Sequence, residues 1–358
     1  MTRLSHKASV SVACRLLGLV FALWIPLQCP AASEQPGKFL GAIASEKPKW
    51  FKESFLEFEA DVAEAAATGR RVMLYFHQAS CPYCARLVEE NFTDPGLKAY
   101  IMKHFDGIAL NMWGDREVVS VAGKAFTEKT FAAALKVQYT PTLVFLDETG
   151  KVALRLNGYY PPQDFRAALD YVAQKREQKQ SFAQFRLEQL GSRQGALFDE
   201  DFYIEETDLK RLVGRAGKPL VVYFEAPACP ECETTHRRIL TDRATRKLVE
   251  QANNVQLNIG SDEAIVTPAG AQTTARLWAQ ELGISYTPSL VFFDGGGQEV
   301  MRISAFLKTF HFQSVYAYVL EKAYLEQPSF QRYISARADH IRESGFDTDI
   351  WGYESFHE

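Results

Sequence analysis

The hydrophobic pattern of the chain predicts one set of elements that occurs twice. Short apolar runs ending in Tyr-Phe, at 72–76 and 220–224, have the length and composition of buried strands. The predicted elements of the first copy are helix 58–67, strands 72–76 and 105–112, a polar insertion 114–129, a helix before Tyr139, two strands within 142–156, and helix 163–176. Those of the second copy are helix 207–214, strands 220–224 and 254–259, a polar insertion 260–274, a helix before Tyr286, two strands within 289–303, and helix 310–324. Each copy is therefore predicted to be an α/β domain, with a central mixed β-sheet flanked by helices.

The two copies also match residue by residue. Aligned pairs include Tyr75-Phe76 with Tyr223-Phe224, Thr93-Asp94 with Thr241-Asp242, Tyr139-Thr140-Pro141 with Tyr286-Thr287-Pro288, and both Cys-x-x-Cys motifs. A repeat of this length has the size of a globular domain and is too long for a solenoid. The chain is thus predicted to be a tandem duplication.

The copies define a five-part organisation. The predicted parts are a signal peptide 1–32, domain 1 at 33–180, a linker helix 181–197, domain 2 at 198–326, and a helical tail 327–358. In the tail, Phe330, Ile334, Ala338 and Ile341 recur at helical spacing, so this helix should pack on the second domain.

The N-terminal segment predicts export. Three basic residues precede an apolar stretch at 16–27, and Cys29-Pro30-Ala31-Ala32 follows, which is typical of a secretory signal peptide cleaved near Ala31 or Ala32. The stretch is shorter than the roughly 20 residues that span a bilayer, so we expect periplasmic export with no membrane span retained. Cys14 and Cys29 leave with the signal.

Composition limits the remaining possibilities. The chain has 358 residues, of which 47% are hydrophobic, and this is ample for two packed cores. Its formal charge is -4 at pH 7 and it has no long basic run, so no nucleic acid partner is expected.

The candidate chemistry lies in Cys81-Pro82-Tyr83-Cys84 and Cys229-Pro230-Glu231-Cys232. Each motif follows a predicted strand and starts a helix, where free N–H groups and the helix dipole favour a thiolate on the first sulfur. Cys81 and Cys229 are the predicted nucleophiles, and Cys84 and Cys232, one turn deeper, are predicted to resolve the mixed disulfides. No bound cofactor is required, because the cysteine pairs themselves carry the electrons.

Two other interpretations of these cysteines remain open. As purely structural disulfides they would stabilise the fold little, because a disulfide that closes a loop of about four residues contributes only ~2 kcal/mol to stability, against ~4.7 kcal/mol for a loop of about 100 residues. As a metal site they are too far apart, since a zinc ribbon spaces its pairs by about 15–20 residues. A thiol chaperone for Cu(I) or zinc stays an alternative function, although no Met or His cluster lies nearby. We predict no metal site.

With the Thr-Pro pairs Thr140-Pro141 and Thr287-Pro288, each just before a strand, the motifs resemble the thioredoxin fold. The resemblance implies that Pro141 and Pro288 are cis, and that the backbone beside Thr140 and Thr287 binds a substrate chain. The runs FDGIALNMWGDREV, YTPTLVFLD and EQPSFQRYISARAD are similar to SoxW-type periplasmic thioredoxins of bacterial sulfur oxidation, which match a single copy. That similarity implies a membrane thiol electron donor of the CcdA type, and sulfur-carrier or cytochrome-maturation clients.

Residues near the motifs are expected to affect proton transfer at the cysteines and their redox potentials. Cytoplasmic thioredoxins carry a buried Asp six residues before the first cysteine, and this chain has tyrosine there. His77 and Glu225 are therefore the candidates for proton transfer. The alternative is that both are ordinary polar residues at strand ends. Glu231 should disfavour thiolates and make the second pair more reducing, whereas Tyr83 adds no charge. Alternatively Glu231 faces solvent and the potentials are nearly equal.

The predicted function is an exported thiol-disulfide oxidoreductase that reduces or exchanges disulfides of client proteins. If Glu231 acts as expected, electrons flow from the second cysteine pair to the first. The alternative within redox chemistry is a disulfide oxidase or isomerase of the Dsb or PDI type.

Overall fold

A computed structural model describes residues 36–190 and 193–354. Both copies of the repeat belong to one compact unit, Gln35–Glu358. The predicted signal peptide, 1–32, lies outside the described residues. Within the described part, every helix is too short or too polar to cross a membrane.

The first copy follows a short N-terminal strand, β1 (Phe39–Leu40). Its helices are α1 (Phe58–Ala67), α2 (Pro82–Arg86), α3 (Pro95–His104), α4 (Glu128–Ala134) and α5 (Pro162–Ala173). Its strands are β2 (Arg71–His77), β3 (Phe105–Asn111), β4 (Glu117–Val119), β5 (Ala125–Thr127), β6 (Thr142–Leu146) and β7 (Val152–Asn157). The main sheet has the order β3-β2-β6-β7, with β2 parallel to β3 and antiparallel to β6. A π-helical turn, Leu87–Phe92, continues α2.

The second copy repeats this order after a linker helix, α6 (Phe182–Leu190). Its helices are α7 (Pro230–Thr234), α8 (Arg243–Val249), α9 (Ala275–Glu281) and α10 (Thr309–Leu320). Its strands are β8 (Leu220–Glu225), β9 (Asn253–Asn258), β10 (Ala264–Val266), β11 (Gln272–Thr274), β12 (Ser289–Phe293) and β13 (Glu299–Ile303). The sheet order is β9-β8-β12-β13. The tail adds α11 (Phe330–Glu343) and β14 (Thr348–Asp349). The predicted tandem of mixed sheets flanked by helices is confirmed.

The central strands are apolar on both faces because helices cover both sides of each sheet. In β2, Met73 and Tyr75 face one hydrophobic cluster, while Leu74 and Phe76 face another. Alternate side chains of a strand point to opposite faces, so a strand buried on both sides has no polar face. The strand thus delivers the chain to the cysteine motif at a fixed position above the sheet.

The sequence pattern was wrong about one helix and incomplete elsewhere. The helix predicted at 207–214 is only a 3₁₀ turn, Leu209–Leu212: the next residue, Val213, is extended with a ψ of 119°, and Gly214 follows with a φ of 64°. Each polar insertion contains a β-hairpin that the pattern did not predict, β4 with β5 and β10 with β11. The linker helix ends at Leu190, before the predicted end at 197.

The tail helix α11 packs on α10 of the second domain, as its spacing predicts. The ring of Phe330 lies 5.3 Å from that of Tyr318, and the four apolar residues of the predicted stripe are buried. The sequence did not predict that β14 pairs in parallel with β1. This pairing brings the two ends of the described chain together, next to the first cysteine motif.

The two domains meet through equivalent loops of the repeat. Gly158 lies against Ala305, its counterpart, and a Cβ on Gly158 would overlap the Ala305 methyl group. The Tyr160 hydroxyl donates a hydrogen bond of 3.0 Å to the Ser304 carbonyl oxygen. The rings of Tyr160 and Tyr286 lie 5.0 Å apart. Because each loop contacts its own counterpart, the interface is approximately two-fold symmetric.

This contact gives a testable prediction for Gly158→Ala. Gly158 has a φ of 86°, and Gly69 has a φ of 71° with open space where its Cβ would lie. We expect Gly69→Ala to lower the free energy of unfolding by about 1–2 kcal/mol, from backbone strain alone. Gly158→Ala should cost about 1–3 kcal/mol more, because the added methyl group overpacks the interface. Urea titration measures both values.

The matched background is Ala305→Gly, which removes the opposing methyl group. In that background Gly158→Ala should cost no more than Gly69→Ala. Equal costs in the wild-type background would contradict the described interface.

Candidate functional site

The first cysteine pair is a disulfide at the start of α2. The Cα atoms of Cys81 and Cys84 are 5.2 Å apart. Cys81 occupies the N-cap position, its Sγ accepts a hydrogen bond of 3.1 Å from the Cys84 backbone N–H, and Pro82 follows in the first turn. Cys84 is fully buried and Cys81 is 3% exposed. The backbone N–H at Sγ is the interaction that stabilises a thiolate in the reduced form.

The second pair has the same arrangement. Cys229 and Cys232 form a disulfide with Cα atoms 5.2 Å apart, and the Cys232 backbone N–H donates to Cys229 Sγ at 3.1 Å. The surroundings differ, because Pro230 is exposed and Glu231 is half-buried, whereas Pro82 and Tyr83 are both buried. The two motifs are equivalent in backbone geometry and in the burial of their cysteines, and they differ in the exposure of the two residues between the cysteines.

Both Thr-Pro segments lie beside the first cysteine of their copy. The Thr140–Pro141 and Thr287–Pro288 peptide bonds are cis, which confirms that prediction. The Thr140 carbonyl oxygen lies 3.6 Å from Cys81 Sγ, and the Thr140 hydroxyl donates to the same sulfur at 3.3 Å. The Thr287 carbonyl oxygen lies 3.4 Å from Cys229 Sγ. In each copy an extended backbone segment therefore runs next to the outer sulfur.

Tyr83 is buried against the second domain and the tail. Its hydroxyl accepts a hydrogen bond of 2.8 Å from the Lys308 backbone N–H and lies 3.4 Å from His311 Nδ1. The ring of Trp351 packs edge-on at 5.0 Å. Burial raises the pKa of Tyr83 and lowers the pKa of His311 to about 4, so both side chains are uncharged at neutral pH. No local pattern could have indicated His311 or Trp351, since both are far from the motif along the chain.

Glu231 occupies the place of Tyr83 in the second copy. Burial raises the pKa of Glu231, and the negative charge of Asp164, the counterpart of His311, adds to the effect; Arg193 and Arg86 oppose it. Glu231 is half-buried, so the alternative of a fully solvent-facing Glu231 is not what the structure shows. The prediction that its charge tunes the potential of the second pair stays a prediction.

The two candidates for proton transfer have different surroundings. His77 is half-buried and stacks on Tyr75 with ring centroids 5.3 Å apart. Burial lowers the pKa of His77, Arg116 and Lys47 add to this, and Glu128 opposes it. A neutral imidazole at this place is able to accept a proton. Its role stays a prediction.

Glu225 is fully buried in a polar network beneath α7. His236 Nε2 lies 3.1 Å from both carboxylate oxygens of Glu225. The side-chain amide of Gln256 donates a hydrogen bond of 2.9 Å to Glu225 Oε2. His236 Nδ1 lies 2.9 Å from Glu200. Burial opposes the charged imidazolium of His236, yet the hydrogen bonds and charges of Glu225 and Glu200 outweigh it and raise the pKa of His236. His236 was not predicted from the sequence, although it lies one helical turn after Cys232 and this spacing could have indicated it.

A family model and several solved structures are similar to this chain. The family model "Thioredoxin-like domain" matches residues 58–173 and again 207–320. A thioredoxin-fold protein from Helicobacter pylori is 28% identical over 32% of this chain and 74% of its own, with a TM-score of 0.30. A thioredoxin from Thermus thermophilus is 24% identical over 39% of this chain and 89% of its own, with a TM-score of 0.28. The first two thioredoxin domains of Eps1p from Saccharomyces cerevisiae are 13% identical over 69% of this chain and 89% of that chain, with a TM-score of 0.25.

No curated protein matches the sequence at a significant level. The two family matches cover more than half of the chain, and each contains a Cys-x-x-Cys disulfide at a helix start beside a cis-proline. The protein therefore belongs to the thioredoxin-like domain family, and it is a thiol-disulfide oxidoreductase.

Proposed function

We propose that the protein is exported and reduces or exchanges disulfides of client proteins through both of its cysteine pairs. The observation that supports this most strongly is the repeated geometry of an N-cap cysteine whose sulfur lies within 3.6 Å of the Thr140 carbonyl oxygen and, in the second copy, 3.4 Å of that of Thr287. A client chain that pairs with this backbone would have its own sulfur held next to the nucleophile.

The proposed steps balance atoms and electrons. The Cys81 thiolate attacks a client disulfide, a Cys81–client disulfide forms, and the released client thiolate takes up a proton. The Cys84 thiolate then attacks Cys81 Sγ, which releases the second client thiol and forms the Cys81–Cys84 disulfide. The client gains two electrons and the cysteine pair loses two. Cys229 and Cys232 perform the same steps in the second copy.

The proposal extends to the cellular setting. The signal-like N-terminus supports periplasmic export, and the similarity to SoxW-type thioredoxins supports a CcdA-type membrane thiol donor and clients of sulfur oxidation. The test of export is the N-terminus of the protein recovered from the periplasm of a bacterial host. A start near residue 32 supports the proposal, whereas an intact N-terminus in the cytoplasm contradicts it.

Two assays separate the proposed reductase from its alternatives. With dithiothreitol as electron source, the purified protein should accelerate insulin disulfide reduction and should rescue scrambled ribonuclease poorly. Efficient rescue would favour an isomerase. Metal that co-purifies with the reduced protein, together with no insulin turnover, would favour a thiol metal chaperone and contradict the proposal.

The charge of Glu231 gives a prediction for the direction of electron flow. A nearby carboxylate disfavours thiolates, so it destabilises the reduced pair and lowers the potential of Cys229/Cys232. We expect Glu231→Gln to raise that potential by about 20–30 mV, the equivalent of roughly 1 kcal/mol for a two-electron couple. Redox titration with alkylation and peptide mass analysis measures the shift.

The matched control is Glu233→Gln on the same helix. Glu233 is exposed and paired with Arg237, so its replacement should leave the potential unchanged. Because protonation removes the charge, wild type and Glu231→Gln should converge as the pH falls below the raised pKa of Glu231. Identical potentials at neutral pH would show that this carboxylate does not act on the sulfurs.

A further inference from the structure

A cavity of about 220 Å³ lies beside the first cysteine pair. Its walls come from three parts of the chain: Cys81 and Tyr139 from the first domain, Phe310 from the second, and Ile334 and Ala338 from the tail helix. The thioredoxin-like domain alone would leave this side of the cysteine open. Here Phe310 of the second domain and Ile334 and Ala338 of α11 cover it, and these covering residues are called the roof.

The cavity has an uncharged lining. Among the described residues, those that line it include no Asp, Glu, Lys or Arg. Its one histidine, His311, is neutral near pH 7, because burial lowers the pKa of His311 to about 4. A charged ligand would lose hydration here without gaining a countercharge, which is costly. The lining therefore favours uncharged ligands.

The size of the cavity limits what can enter. Its volume of about 220 Å³ lies below the roughly 300–1,000 Å³ of pockets that hold drug-sized ligands. Cys81 and Cys229 are themselves similarly buried, at 3% and 2% exposed. At the second site the neighbouring Pro230 is exposed, whereas at the first site Pro82 is buried and the tail helix lines the cavity, so a large client has less open surface to contact there.

We propose that the roofed cavity binds uncharged, apolar organic thiols and disulfides of low molecular weight, and that Cys81 exchanges with them. This inference rests on the proposed redox role of Cys81 and Cys84. The Cys81 thiolate attacks the small disulfide RSSR, RSH leaves with a proton, and a Cys81–SR disulfide forms. Cys84 then attacks Cys81 Sγ, the second RSH leaves, and the cysteine pair is oxidised. A dithiol returns the two electrons.

The test uses the full mature chain with Cys229→Ser and Cys232→Ser, so that only the first site reacts. Two aromatic disulfides serve as probes: dithiodipyridine, which is uncharged at neutral pH, and dithiobis(nitrobenzoate), which carries two negative charges. The rate ratio of the two probes with the reduced protein is divided by the same ratio for free dithiothreitol. We expect about a tenfold preference for the uncharged probe, because the charged probe would lose hydration in the cavity without gaining a countercharge.

Two tryptophan substitutions on α11 show whether the cavity causes the preference. Ser335 lies at the cavity and is exposed, so Ser335→Trp should fill the opening and slow the uncharged probe about tenfold. Ala336 is the exposed neighbour that does not line the cavity, and Ala336→Trp should leave the rate unchanged.

The outcomes separate this inference from the proposed function. If neither probe oxidises the first pair in any variant, the redox role of Cys81 fails. If both probes react in the ratio seen with dithiothreitol, or if both tryptophan variants behave alike, the cysteine pair is active and the cavity proposal is overturned.

Discussion

Replacing Cys81 and Cys229 together by serine should reduce insulin turnover to the rate of dithiothreitol alone. The reason is chemical: a hydroxyl does not form the anionic nucleophile at neutral pH, so neither site can attack a disulfide. Each single substitution should leave the activity of the other site. Because the roof lies over the first site, Cys229→Ser should remove the larger share of activity on a protein substrate.

The control for this prediction replaces the resolving cysteines instead. Cys84→Ser and Cys232→Ser leave both nucleophiles in place, so mixed disulfides with clients should form and persist. Intact mass measurement under non-reducing conditions detects them. Full activity in the Cys81→Ser, Cys229→Ser protein would show that the reaction takes place elsewhere.

Glu225→Ala should lower the free energy of unfolding by about 3–5 kcal/mol, the usual cost of breaking a buried ion pair by removing one partner. Glu225 is fully buried and His236 is 3% exposed, so the imidazole is left without its main partner and without water. Urea titration measures the loss. Glu233→Ala, which removes an exposed carboxylate from α7, should cost less than about 1 kcal/mol. Comparable losses for the two variants would contradict the buried pair.

The same network predicts how stability depends on pH. The folded-state pKa of His236 is raised, so its contribution to stability is fully present below the unfolded value of about 6.5. That contribution is lost as the pH rises through the folded pKa. The wild-type protein should therefore lose stability across this pH window. Glu225→Ala should lose less stability, because most of the negative charge that raises the pKa of His236 is gone.

The hydrophobic pattern of neighbouring residues was sufficient to predict the central strands and the position of the cysteine motifs. The central strands have continuous apolar runs because both sheet faces are buried, and each cysteine motif follows its strand directly. The helix predicted at 207–214 was wrong because Leu209 and Leu212 fit a single 3₁₀ turn as well as an α-helix, and the chain becomes extended at Val213.

The rest of the site could not be predicted, because it depends on contacts between distant parts of the chain. The hydroxyl of Tyr83 binds the backbone of Lys308, and Trp351 covers its ring. No periodicity in the sequence places the tail over the first cysteine pair. Only packing of the domains and the tail determines that the two motifs, alike in sequence, have different surroundings.

The central claim is that both cysteine pairs are redox-active, and one measurement tests it most directly. The mature protein is equilibrated in glutathione or dithiol buffers, and each Cys-x-x-Cys pair is followed separately by alkylation and peptide mass. We predict midpoints between roughly -180 and -270 mV, the range of characterised thiol oxidoreductases, with the second pair more reducing. Pairs that stay oxidised below about -300 mV would be structural disulfides, and that result would contradict the account.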